Sequence, residues 1–343
     1  MNEAVAQLLS RYGPVTTQDY RQALREILQD VALLGLWRSN FFERAAFYGG
    51  TALRILHGLD RFSEDLDFSL LAPDRSFDLS RYASSLEREV RAFGFDVTYE
   101  VKKTAETRAM RSAFLKADTV RELLMIEARP EVIAGIPNRL LKRGVSPLGR
   151  DWHAQDEDAK SANSSAICAT EDEVLCRQVR SCGRDSAFQQ PPKGQLIRIK
   201  LEVDTNPPPG FETEVRFVLR PVPFSVRTYS LPDLFAGKMH ALLCRKWVNR
   251  VKGRDWYDFV WFAGNHPELR LSHLEQRMRQ SGHWTESTPL GGEALRQLLH
   301  EAIDALDVEQ ARREVEPFVR DPAALQVWSK EFFRDVAGRI LFI

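Results

Sequence analysis

The chain has no surplus of either charge: its 343 residues carry 48 basic and 48 acidic side chains. A nucleic-acid partner therefore has to be read from a local basic patch, because net charge does not point to one. No stretch approaches the ~20 consecutive apolar residues that a bilayer crossing needs, so no membrane partner is expected. Residues Met1 to Tyr12 show no basic segment followed by an apolar run, and no secretory leader is expected. Cysteine is scarce. Cys168, Cys176 and Cys182 fall in one stretch and Cys244 stands apart, with no CxxC pair. That spacing fits no zinc pattern, and a reduced, cytoplasmic protein is the expectation. Hydrophobic content of 43% and charged content of 28% are ordinary for a globular chain. The length suits two domains, or one with an appendage.

Apolar spacing organises the rest. Tyr20, Leu24, Ile27, Leu28, Val31 and Leu34 recur every three or four residues, which predicts a helix over 17–37 capped by Thr16 or Thr17. Strands are expected at Ala45–Tyr48, Leu66–Leu71, Phe95–Lys102, Ser112–Lys116, Leu196–Asp204, Glu214–Leu219 and Phe224–Thr228. Short helices are expected at Thr51–His57, Ser80–Phe93 and Val120–Glu127. From Leu231 the pattern is helical: Leu231–Lys246, Trp256–Gly264, Ser272–Gln280, Gly292–Leu306 and Pro322–Val336. Between Asn138 and Gly194 apolar periodicity fades. The expectation there is an inserted, largely disordered loop with one short helix near Glu171–Val179. The fold class is therefore α+β: a mixed-sheet domain with flanking helices over 1–230, then a helical domain over 231–343.

The chemistry starts at Phe47-Tyr48-Gly49-Gly50-Thr51, which reads as strand, glycine turn and helix start. The first backbone N–H groups of such a helix suit a phosphate. In Asp65-Leu66-Asp67 the carboxylates are two residues apart on a strand, so both point to one face while Leu66 and Phe68 point to the other. Paired carboxylates repel, and they are tolerated beside a divalent cation or in solvent. A phosphate turn next to such a pair points to phosphoryl or nucleotidyl transfer. Arg61 and Ser63, in the turn before the pair, either bind triphosphate oxygens or tie the turn together.

Three further motifs join it. In Ile197–Asp204 the apolar residues alternate with Arg198, Lys200, Glu202 and Asp204. Either Glu202 or Asp204 supplies a third carboxylate, as metal ligand or general base, unless Lys200 simply pairs with Glu202 on an exposed face. Lys238 lies amid small and apolar residues, where it either reaches a phosphate or snorkels from a helix–sheet seam. Asp255 and Asp258 are one helical turn apart, and Asp255 also suits a helix cap. Around them Arg245, Lys246, Arg250, Lys252 and Arg254 form the strongest basic cluster in the chain, a candidate RNA-binding patch. Trp247, Trp256 and Tyr257 lie within it, available either to stack on bases or to fill a core.

With these motifs together, the chain resembles the AbiEii/AbiGii-type nucleotidyltransferase toxins of the DNA polymerase β-like superfamily. The matching text is GGTALRILHGLDRFSEDLDF, SAFLKADT, IKLEVDTNPPPGFETE and LFAGKMHALLCRKWVNRVKGRDWYDFVWF, in family order from about residue 40 to 265. The Asn138–Gly194 stretch departs from the short link usual in the family. Thr51 stands where many nucleotidyltransferases have serine, with the hydroxyl kept. The resemblance implies that Gly49, Gly50 and Thr51 hold the β and γ phosphates of an NTP. It also implies that Asp65 and Asp67 bind Mg²⁺ (or Mn²⁺), that Lys238 contacts the nucleotide, and that Asp255 or Asp258 completes the site. Further implications are transfer of a nucleotide to RNA at a tRNA 3′ end, and a cognate antitoxin encoded nearby. Two readings stand beside it: the same chemistry on a protein or small-molecule acceptor, or an inactive nucleotide- or RNA-binding module.

Overall fold

A computed structural model describes residues 3–14, 16–102, 109–118, 196–245 and 251–343. The expected helices at Val120–Glu127 and near Glu171–Val179, the Asn138–Gly194 stretch, three of the four cysteines, and Lys246, Trp247 and Arg250 lie outside the described residues.

Two helices open the chain, α1 (Glu3–Ser10) and α2 (Thr17–Arg38). Thr16 and Asp19 close a capping box at the start of α2: Asp19 N donates to Thr16 Oγ1 at 3.1 Å, and Thr16 N to Asp19 Oδ2 at 2.9 Å. Strand β1 (Ala45–Tyr48) then runs directly into α3 (Gly49–His57). Next come β2 (Leu66–Leu70), α4 (Ala83–Ala92), β3 (Asp96–Val101) and β4 (Met110–Asp118). After the undescribed stretch follow β5 (Leu196–Asp204), β6 (Thr213–Val218) and β7 (Phe224–Tyr229). The chain ends in helices α5 (Leu231–Cys244), α6 (Gly253–Asn265), α7 (Leu271–Gln280), α8 (Gly292–Asp304), α9 (Val308–Val315) and α10 (Lys330–Ala337). Short strands β8 (Glu268–Leu269) and β9 (Leu341–Phe342) pair in parallel beside them.

Strands β1 to β7 form one mixed sheet in the order β3-β4-β5-β2-β1-β7-β6. The β1–β7 and β2–β5 pairs are parallel and the rest antiparallel. Its two faces have different owners. Leu66, Phe68 and Leu70 of β2, with Ile197, Ile199, Leu201 and Val203 of β5, bury against Leu24, Ile27, Leu28 and Val31 of α2 and Leu86 and Val90 of α4. The other face contributes Ala46 and Tyr229 to a second apolar cluster, built on Phe235, Met239, Phe259, Phe262 and the later helices. Truncating a ring such as Phe68, fully buried and packed edge-on to Phe41 at 4.8 Å, is expected to cost about 3–5 kcal/mol. The alternation in β2 and β5 thus puts apolar side chains under α2 and the carboxylates toward the helical half.

The expected mixed sheet with flanking helices and a helical C-terminal stretch is what the structure has. Several details differ, among them the following. The short α1 and α9 carried too few apolar turns to read from the sequence. Pro322–Val336 is not one helix: Pro322–Leu325 is a 3₁₀ turn capped by Asp321, and α10 starts afresh where Ser329 accepts from Phe332 N. Helix α3 begins at Gly49, two residues before the expected Thr51, because the extended Tyr48 is already its N-cap.

Candidate active site

The β1–α3 junction and the ends of β2 and β5 meet at one point. Tyr48 pairs in register with Asp67, and Asp67 with Glu202. Registered neighbours face the same way, so the carboxylates of Asp67 and Glu202 sit side by side. Asp65, two residues earlier, shares their face. Gly49 has φ +84°, and a Cβ there would come within 2.5 Å of Asp67 Oδ2. Only glycine lets the first turn of α3 approach the carboxylate so closely. At Gly50 a Cβ would meet Arg61 Nη2 at 2.8 Å.

Burial, and after it the charges of Asp65 and Glu202, pushes the Asp67 carboxyl up to about 6, although Lys238 and Arg245 pull the other way. Burial also raises Asp65, opposed by Lys200. Glu202 accepts from Ser112 Oγ at 3.2 Å and lies 2.7 Å from Lys200 Nζ. Negative charge is thus concentrated here beyond what the surrounding cations offset. Carboxylate oxygens are hard donors that suit a divalent cation of the Mg²⁺ class, and Asp65, Asp67 and Glu202 are the residues that could hold one. Asp204, one register pair further along β5 opposite Ser69, is raised chiefly by burial and accepts from Asn206 N at 2.9 Å. It lies off the Asp65–Asp67–Glu202 group.

Across the cleft a different arrangement faces this one. Asp258 of α6 takes a two-pronged contact from Arg61, Nε to Oδ1 and Nη2 to Oδ2, both 2.6 Å. Lys238 Nζ of α5 lies 2.6 Å from Asp258 Oδ2 and 4.0 Å from Asp255 Oδ1. Burial alone would raise Asp258, yet Arg61 and Lys238 hold it below the usual carboxylate range. The Arg61 guanidinium is fully engaged with Asp258 and its own loop. Thr51, completely buried, donates to the Asp65 carbonyl and lies 2.8 Å from the Ser63 hydroxyl. Gln29, buried on α2, donates through Nε2 to the carbonyls of Ser63 and Glu64 at 2.9 and 3.0 Å. Phe62 N donates to Phe318 O at 2.7 Å. The loop that delivers Asp65 is therefore pinned from three sides.

A cavity of about 150 Å³ is lined by Tyr48, Gly49, Asp67 and Glu202 and by Lys238, His240, Arg245, Lys252, Asp255 and Arg277, among others. Lys252 is half-buried, and burial lowers its pKa. Arg245 is exposed at the rim. Arg254 points away: it lies 3.7 Å from Glu64 and 3.8 Å from Glu314, with its guanidinium 4.1 Å over the Phe318 ring. Trp256 is buried in the helical core. Of the basic run, then, Arg245 and Lys252 reach the cavity, Arg254 does not, and Arg250 lies outside the described residues.

Several contributors gave no sequence signal. Arg277 of α7 enters the cavity and stacks on Tyr48 at 5.9 Å. Tyr229 donates to Ser69 Oγ at 2.7 Å, and Phe211 stacks on Tyr229 at 4.3 Å. Gln29 and Ser112 act through partners 34 and 90 residues away. A larger cavity, about 510 Å³, lies away from the carboxylates and is lined by Arg11, Tyr12, Glu26, Phe62, Arg220 and Arg320, among others.

The start of α3, a carboxylate group at the ends of adjoining strands and a lysine across the cavity make up the candidate site. The chain belongs to the AbiEii nucleotidyl transferase toxin family of type IV toxin–antitoxin systems, whose profile matches residues 31–132 and 156–332. The break at 133–155 covers only the first part of the Asn138–Gly194 stretch. No curated protein matches the chain. Among solved structures, a Helicobacter pylori protein provisionally described as a nucleotidyltransferase aligns at 16% identity over 92% of this chain and 91% of its own, TM-score 0.43. JHP933 from Helicobacter pylori aligns at 16% identity over 95% and 90%, TM-score 0.44. Among the described residues no helix is long and apolar enough to cross a membrane.

Proposed function

We propose that this protein is a toxin that moves a nucleoside monophosphate from an NTP to the 3′ end of a tRNA. It would work in the cytoplasm, opposed by an antitoxin encoded beside it. The observation that carries this reading is the under-compensated Asp65–Asp67–Glu202 group, held against the start of α3 by Gly49 and faced by Lys238. We further propose that residues 1–230 form the transferase domain and 231–343 a helical domain closing the cleft.

In this reading the backbone N–H groups of Gly49, Gly50 and Thr51 take the β and γ phosphates. Lys238 and Lys252 face them from the helical half. Held by Asp65, Asp67 and Glu202, Mg²⁺ (or Mn²⁺) would polarise the α-phosphate and ease ionisation of the acceptor hydroxyl. Glu202 takes the proton of that hydroxyl. The hydroxyl oxygen forms its bond to the α-phosphorus as the bond to the bridging oxygen breaks. Pyrophosphate leaves with its charge met by the α3 start and Lys238. The roles of Arg61, Ser63, Thr51 and Asp258 are to hold this frame: the first three fix the turn before Asp65, and Asp258 aims Lys238. Asp255 supports Lys238 from the next turn, and Asp204 stands in reserve beside Glu202. Arg245 and Arg250 would meet the RNA backbone, with Arg254 buttressing the same segment.

Incubation with labelled NTPs and total cellular RNA tests this. Label is expected on small RNA, and Asp67→Ala should abolish it while the protein stays folded. Label confined to protein would move the acceptor to another class, and full transfer by Asp67→Ala would remove the proposed site.

A further inference from the structure

Helix α5 carries a second group of metal-ligand side chains that the proposed transfer does not use. His240 and Cys244 are four residues apart, so they lie above one another on one helix face. His283, from the turn that follows α7, closes over them. The ligand atoms of the three side chains all lie within 4.8 Å of one another. The Ser281 hydroxyl is 2.9 Å from His240 Nε2 and 2.9 Å from His283 Nδ1, so both ring nitrogens converge on one spot. Cys244 is buried and forms no disulfide.

We propose that His240, Cys244 and His283 form a binding site for a zinc-class divalent metal, separate from the carboxylate ligands but beside their cavity, which His240 also lines. Two imidazoles and one thiolate are the donors of a borderline-soft, tetrahedral ion and are poor ligands for Mg²⁺. The Ser281 hydroxyl or a water fills the fourth position. On binding, the sulfur–metal bond forms as the thiol proton leaves to solvent, with no change of oxidation state. The thiolate cancels one of the two positive charges. Arg245 and Arg277, which both act on His240, oppose the other, so the site is weaker than a four-cysteine one. Its effect is structural. It ties the last turns of α5, from His240 two residues past Lys238 to Cys244 at its end, to the turn after α7.

The test uses full-length protein and Co²⁺ as the probe, because Co²⁺ reports tetrahedral geometry and thiolate ligation in its absorption. One tetrahedral, thiolate-bound Co²⁺ per chain is expected, counted by its sulfur-to-cobalt charge-transfer band and separate from any six-coordinate Co²⁺ on the carboxylates. Cys244→Ser should lose that band. His283→Ala, a change at an exposed position, should weaken Co²⁺ binding about tenfold or more. Asp67→Ala should keep the band, so the result stands apart from the transferase reading. Absence of the charge-transfer band at saturating Co²⁺ overturns the proposal. So does a band that survives in Cys244→Ser, which would put the metal on Cys168, Cys176 or Cys182, and so does unchanged affinity in His283→Ala.

Discussion

Two carboxylate groups face each other across one cleft, and the protein treats them in opposite ways. Asp258 is fully buried and satisfied: Arg61 grips both oxygens, Lys238 adds a third contact, and its pKa is held down. Asp67, half-buried, stands beside two more carboxylates, and its pKa is pushed up to about 6. The first arrangement is what a folded protein does with a structural carboxylate. The second sacrifices stability, and such sacrifices concentrate at functional sites. The contrast separates frame from chemistry: Asp67 lines the cavity, and Asp258 lies behind Lys238.

The largest expected effect is on transfer. Asp67→Ala should lower label incorporation by about 10³-fold or more, with the circular-dichroism spectrum unchanged. Next is stability on the opposite wall. Asp258→Ala leaves Arg61 buried without its partner and should cost about 3–5 kcal/mol in a denaturant melt. A loss under 1 kcal/mol would mean that the Arg61–Asp258 contact is not the brace described.

Asp67→Asn should act in the reverse sense and stabilise the metal-free protein, by about 1–3 kcal/mol at pH 7.5. The sign follows from the raised pKa. Between the ordinary 3.8 and about 6 the folded state binds more protons than the unfolded state. Stability from this group therefore falls as pH rises through that window and stays low above it. Thermal melts from about pH 4 to 7.5 should show this decline in the parent and lose it in Asp67→Asn. Transfer should run the other way, rising with pH as the carboxylate ionises and can take up the cation. The smallest effect is expected from Lys200→Ala. It removes a cation that lowers Asp65, so the acid limb of the pH–rate profile should move slightly to higher pH.

Much of the carboxylate wall was legible in the sequence. The period of two in Asp65-Leu66-Asp67 and in Ile197–Asp204 put the carboxylates on one face, and the glycine pair marked the turn beside them. The opposite wall was legible only as residue types. Lys238, Asp255 and Asp258 stood out by context and helical spacing. That Asp258 closes on Arg61, 197 residues earlier, was not visible, because no local period encodes a contact at that distance. The same applies to Gln29. It reads as a polar interruption in an apolar helix, and its role appears only when the Ser63 and Glu64 carbonyls are folded onto it. The choice between Glu202 and Asp204 also needed the register: Glu202 pairs with Asp67, whereas Asp204 pairs with Ser69.

The most direct measurement is Mn²⁺ binding by electron paramagnetic resonance, on the parent, Asp67→Asn and Lys200→Ala. The parent and Lys200→Ala are expected to take up Mn²⁺ with similar affinity, and Asp67→Asn to lose at least tenfold. Equal Mn²⁺ affinity in the parent and Asp67→Asn would contradict the assignment of the Asp65–Asp67–Glu202 group as the metal site.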